Sequence, residues 1–259
     1  MMRSWFVAIL AALLLAERGG CFACKSVLHT RYNDTLNCSK TIDMCSFSPV
    51  LRQLASRGSS VVEMGVRGVV STWALMLGLL ESNAASLSAK WMISIDIQRI
   101  AFRPALKVAG SCGLNASFIQ HDSATVELPP TFDLLFVDTM HTRGHLRREL
   151  AAYADRTRQY IVLHDTIVDG TRSDIVRLRG EQAVAGVAKA VGYSQADIRA
   201  GLQPALDEFL VKHPEWTVLE HYTAYPGLTV LTRHESTRPG GVPFFAAPSR
   251  WQRLQMWLG

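Results

Sequence analysis

Four aspartates close four apolar runs: Asp96 ends Trp91-Met-Ile-Ser-Ile, Asp122 ends Ala116-Ser-Phe-Ile-Gln-His, Asp138 ends Phe132-Asp-Leu-Leu-Phe-Val, and Asp165 ends Tyr160-Ile-Val-Leu-His. If the runs are neighbouring strands, Asp138 and Asp165 repel one another unless a proton or a cation lies between them. Oxygen ligands alone would suit Mg²⁺, Mn²⁺ or Ca²⁺, and a contribution from His141 or His164 would admit a transition metal. The competing reading makes Asp138 and Asp165 loop caps or partners of Arg143. His141, three residues past Asp138 at a helix entrance, is the candidate general base because imidazole titrates near neutrality. A purely structural histidine is the alternative. Upstream, Glu63-Met-Gly65-Val-Arg-Gly68-Val-Val-Ser71 joins an apolar run to a helix. Gly65 and Gly68 allow backbone amides close to a ligand, and Ser71 or Thr72 can cap the helix. The spacing is not the GxGxxG that holds a pyrophosphate. Its partner is Asp96, at the end of the next run, where an acid can accept both hydroxyls of a ribose.

These residues need a scaffold that gathers strand ends. The chain supplies one by repetition, with apolar runs at 60–65, 91–96, 116–122, 132–138 and 160–165 separated by helical or turn material. Helices are expected over 71–80, 104–109 and 143–154, and another over 43–57 with Ser48 as N-cap and Pro49 in its first turn. The rhythm predicts an α/β, Rossmann-like, doubly wound and mostly parallel sheet, in which ligands lie outside the carboxyl ends of the strands. Residues 170–199 are polar and broken by glycines and read as a lid over that crevice. A helix over 202–212 then precedes a hairpin of 216–222 and 228–233, turned at Tyr225-Pro226-Gly227.

The chain of 259 residues can bury one sizeable core with tails. Its net charge of +5 is spread along the sequence, so nucleic acid is not an expected partner. Arg143, Arg147 and Arg148 read as a solvated helix face. A lone Arg3 followed by the apolar run 5–16 reads as a secretory signal peptide, with a membrane anchor as the alternative, over 1–20. Cys21, Cys24, Cys38 and Cys45 define a cysteine-containing segment, 21–46, in which one or two disulfides are expected and Cys112 is left over. Sequons at Asn33, Asn37 and Asn115 agree with a secretory route and a glycoprotein. The main domain is placed at 47–233, followed by a tail, 234–259, whose aromatic segment Trp251 to Trp257 would cover a sheet edge or dock on a partner.

The blocks Val62-Glu-Met-Gly-Val-Arg67, Val70-Ser-Thr-Trp-Ala74, Asp133-Leu-Leu-Phe-Val-Asp138-Thr-Met-His141, Tyr160-Ile-Val-Leu-His164-Asp165-Thr166, His213-Pro-Glu-Trp216 and Gly227-Leu-Thr-Val-Leu231 occur in an order that resembles class I S-adenosylmethionine-dependent methyltransferases. Within that family the chain looks most like metal-assisted small-molecule and sugar O-methyltransferases and cephalosporin-hydroxylase-like proteins. The resemblance implies a seven-stranded sheet with an antiparallel last strand. It also implies S-adenosylmethionine held by Glu63, Gly65 and Asp96, with Asp122 near the adenine, and Gly68 and Ser71 in the same loop. Asp138 and Asp165, with His164, would then form the metal or acceptor side, around Mg²⁺ or another divalent metal, and His141 with Asp138 would serve the reaction. The expected acceptor is a hydroxyl of a small molecule or sugar. A nicotinamide-dependent oxidoreductase and a secreted or anchored binding protein without turnover are the rivals.

Overall fold

The computed structural model describes residues 24–39 and 43–234. The leader, Cys21 and the tail beyond His234 lie outside the described residues. A seven-stranded sheet runs through the domain in the order β3-β2-β1-β4-β5-β7-β6. Its strands are β1 (Ser60–Met64), β2 (Trp91–Asp96), β3 (Asn115–Gln120), β4 (Phe132–Val137), β5 (Thr157–His164), β6 (Trp216–Tyr222) and β7 (Leu228–Arg233). The first five are parallel, and β7 pairs antiparallel with both β5 and β6. The order reverses between β1 and β4, which opens the crevice where doubly wound sheets take ligands.

Burial explains the sequence of each strand. Every residue of β1 and β4 is buried, as continuous apolar runs in the middle of a two-faced sheet require. The outer strand β3 mixes exposed and half-buried positions, and β6 does the same after its buried Trp216. One face is covered by α2 (Ser48–Ala55), α3 (Val70–Glu81) and α4 (Arg103–Ser111), whose Leu51, Leu75 and Ala105 share a core with Val61, Leu134 and Val162. The other face is covered by α5 (Arg143–Tyr153) and α9 (Gln203–Lys212), through Leu146, Leu150, Leu206 and Phe209. An additional helix, α1, spans 24–35. Asp133 is the second residue of the buried run of β4, and it accepts hydrogen bonds from the backbone and hydroxyls of Ser59 and Ser60. It is therefore structural, unlike the aspartates at the other end of the strands.

Several local expectations change. Ser48 is the first residue of α2 rather than its N-cap; Phe47 holds that position, and the Ser48 hydroxyl donates to the Met44 carbonyl at 3.1 Å. Ser71 and Thr72 do not cap α3, because Val69 is the N-cap and no side chain bonds there. Asp122 lies two residues beyond β3. Cys112 is not left over: it pairs with Cys24, while Cys38 pairs with Cys45. Arg143 pairs with Glu208 and Asp197, not with Asp138 or Asp165. Arg147 also approaches Asp197, and Arg148 lies over the Tyr193 ring, so this basic face is used to seat the insertion.

The insertion folds as α6 (Asp174–Arg179), α7 (Val184–Val191) and α8 (Gln195–Arg199) around a small core of Ile175, Val176, Val184, Ala188 and Ile198. Its two ends are stitched together by Leu202 N donating to Asp169 O and Gln203 N to Gly170 O. No helix among the described residues is long and apolar enough to cross a membrane. Asn33, Asn37 and Asn115 are all exposed.

Candidate functional site

The crevice at the strand reversal is a cavity of about 250 Å³. Gly65, Asp96, Asp122 and Asp138 all line it, together with Arg67, Gln98, Ser123, Met140 and His145. Gly65 is required by geometry. Its φ is +84°, and a Cβ there would fall 1.8 Å from the Asp138 carbonyl oxygen, so the β1 and β4 ends meet only because the side chain is absent. Arg67 and Val69 follow with positive φ as well, a costly conformation for non-glycine residues and above all for a β-branched one.

Asp96 holds that loop. Its Oδ2 accepts the backbone N–H of Val66 at 2.9 Å and of Arg67 at 3.0 Å, and its Oδ1 accepts that of Gln98 at 2.8 Å. A carboxylate oxygen has two lone pairs, so Oδ2 is filled and Oδ1 retains one acceptor site. One ribose hydroxyl fits there more readily than two. The same contacts consume two amides that a pyrophosphate would otherwise need.

Glu63 and Ser71 do not line the cavity. Glu63 is fully buried under α3, and its carboxylate accepts the hydroxyls of Ser71 at 2.5 Å, Thr72 at 2.9 Å and Ser94 at 2.6 Å. Burial raises its pKa to about 7 against the opposing pull of those three donors. Its place is to brace the loop from below. Gly68 is exposed and outside the cavity lining.

Asp138 also belongs to a second group at the ends of β4 and β5. One ligand atom from each of Asp138, His141 and Asp165 lies within 4.8 Å of the others. His164 joins them, with Nδ1 3.3 Å from Asp138 Oδ1 and 3.4 Å from Asp165 Oδ1. His164 Nε2 faces the Asp43 carbonyl oxygen at 2.9 Å. A carbonyl can only accept, so Nε2 carries the proton and Nδ1 is directed at the two carboxylates. Nδ1 is buried and has no hydrogen-bond partner of good geometry. Asp165 adopts φ +57°, which turns its carboxylate into the group.

The charges are strongly coupled. Burial would raise the Asp138 pKa, but His141 and His164 outweigh it and hold this carboxyl well below its ordinary range. For His141 burial opposes the charge, and Asp138, Asp169 and Asp165 overcome it, lifting the pKa to about 10. His164 is raised in the same way, chiefly by Asp138 against burial, whereas Asp165 is itself raised by burial. Two carboxylates thus face two imidazoles whose charged forms they favour, and a divalent cation could balance the same carboxylates.

Sequence reading missed Asp169, Arg177 and Asp43. Asp169 has a fully buried side chain, accepts His141 Nδ1–H at 2.8 Å and is gripped by Arg177 from α6 at 2.6 and 2.8 Å. Both donors overcome burial and keep its pKa below normal. The sequence hint was slight, because Asp169 ends no strand and Arg177 lies inside the insertion. A further buried network also escaped notice: Glu149 accepts the hydroxyls of Ser123 at 2.6 Å and Thr139 at 2.9 Å and lies 3.2 Å from His145.

No protein-family model and no curated protein matches the chain. Among solved structures, an SAH-bound methyltransferase from Podospora anserina is 15% identical with TM-score 0.46, over 83% of this chain and 88% of that one. An O-methyltransferase from Bacillus cereus in complex with SAH is 14% identical with TM-score 0.46, over 79% and 90%. The SAM-bound O-methyltransferase TomG from Streptomyces achromogenes is 13% identical with TM-score 0.46, over 79% and 89%. Likenesses this distant do not bear on activity.

Proposed function

We propose that this chain is an S-adenosylmethionine-dependent methyltransferase acting on a hydroxyl of a small molecule or sugar. One observation carries the reading: Asp138 lines the cavity framed by Gly65, Asp96 and Asp122, and it also belongs to the His141, His164 and Asp165 group. A cofactor pocket and a proton-accepting, cation-binding group therefore share a wall. Asp96 would accept a ribose hydroxyl on the remaining acceptor site of Oδ1, and Asp122 would face the adenine end.

The sulfonium methyl is already activated, so the protein's task is to align the acceptor oxygen and remove its proton. With its pKa lifted to about 10, His141 must first give up the Nε2 proton; Asp169 then keeps the remaining proton on Nδ1, which leaves Nε2 as the basic nitrogen. Arg177 holds Asp169 in place for that purpose. The donor set fits a divalent metal: Asp138, Asp165 and the orphaned Nδ1 of His164 would hold it, and the imidazole favours Mn²⁺ or another transition ion over Mg²⁺. When bound, such an ion lowers the pKa of an acceptor hydroxyl. Two disulfides, the apolar leader and exposed sequons support maturation in an oxidising secretory compartment.

The nicotinamide reading is disfavoured because Asp96 occupies the Val66 and Arg67 amides. Transfer of a labelled methyl group to a panel of phenolic and sugar hydroxyls tests the proposal, with Asp138→Ala and His141→Ala as controls. Activity on one class, lost in both variants, is expected. Full activity of Asp138→Ala would reject the role given to that group.

A further inference from the structure

His164 reaches the site through a contact that the sheet does not provide. Its Nε2–H ends on the carbonyl of Asp43, 121 positions earlier in the chain, and its ring meets Phe47 edge-on with centroids 5.7 Å apart. The His164 side chain is 1% exposed, so water cannot replace that acceptor without opening the packing. Asp43 is held on two sides. Its carboxylate pairs with Arg67, in the loop that frames the cavity, and two residues later Cys45 is bonded to Cys38. Without the carbonyl, the ring has no reason to keep its proton on Nε2 or its Nδ1 toward Asp138 and Asp165.

We propose that Asp43 is a positioning residue for His164, and that the Cys38–Cys45 disulfide keeps its carbonyl in place, so that divalent-ion affinity at Asp138, His164 and Asp165 depends on a bond outside the catalytic sheet. The affinity half of this inference rests on the metal site proposed above; the positioning half does not. Partners that orient a liganding histidine through its second nitrogen typically change metal affinity about 10- to 100-fold when lost.

The test uses the full chain. In histidine-labelled, metal-free protein, NMR should show a slowly exchanging His164 Nε2–H. The Cys38→Ser/Cys45→Ser variant should lose the slow exchange and bind Mn²⁺ about 10- to 100-fold more weakly by calorimetry. A rapidly exchanging His164 proton in the unsubstituted chain would overturn the positioning claim even if the double variant fails to fold. Unchanged Mn²⁺ affinity in a folded double variant would overturn the affinity claim. An unsubstituted chain that retains the slow proton but binds no divalent ion would sink the metal reading and leave the positioning standing.

Discussion

His141 lies between Asp138, Asp165 and Asp169, and its two nitrogens have different neighbours. Losing the base should lower turnover about 10²- to 10⁴-fold, the usual contribution of a positioned proton acceptor. Steady-state kinetics of His141→Ala would show this in kcat. Asp169→Asn should also lower kcat, with little change in cofactor affinity, because Asp169 touches His141 and Arg177 and is absent from the cavity lining. An unchanged kcat would mean that Asp169 only anchors the insertion. Glu63 gives a separate pH prediction. Its folded pKa of about 7 lies above the unfolded value, so the folded state binds the extra proton and stability falls as pH rises from about 4.5 to 7. The full effect is roughly 3 kcal/mol. Thermal melts of Glu63→Gln should lack that slope. The strand-end aspartates were legible in the sequence because each closes an apolar run. Glu63 was legible as a special position but its direction was not, since the three hydroxyls that claim it come from α3 and β2 and meet it only in the fold.

The β1-to-α3 loop concentrates conformational cost. Gly65→Ala would drive a methyl into the Asp138 carbonyl and impose a strained φ, so loss of fold stability by several kcal/mol, or loss of ligand binding where the fold survives, is expected. Val69 sits at φ +60° at the N-cap of α3, and Val69→Gly should raise the melting temperature by removing a penalty of about 1 kcal/mol. A lowered melting temperature would show that Val69 packing outweighs its backbone strain. The strands and the helices packed on the sheet were readable to within a few residues because parallel strands buried on both faces are written as continuous apolar runs, whereas α1 and the three helices of the insertion were not read. Caps were not: Ser48 and Ser71 have the right chemistry for caps, but their hydroxyls find the Met44 carbonyl and Glu63 instead.

The parts outside the parallel sheet complete the site. The insertion contributes Arg177, and the segment after Cys38 contributes Asp43. Sequence spacing could not reveal either, since the Asp43 to His164 contact spans most of the domain. The cysteine pairing was hidden for the same reason: Cys24 and Cys112 are 88 residues apart and meet only when α1 docks near the end of α4. Closing a loop of that size constrains the unfolded chain by roughly 4 kcal/mol, so Cys24→Ser/Cys112→Ser should melt at a markedly lower temperature by calorimetry.

Calorimetric titration of the intact protein with S-adenosylmethionine bears most directly on the claim that the cavity between β1 and β4 holds an adenosyl methyl donor. One site per chain with affinity of about micromolar order is predicted, weakened by Asp122→Ala and abolished by Gly65→Ala. Absence of binding to the folded chain, or binding of a nicotinamide dinucleotide in its place, would contradict the account.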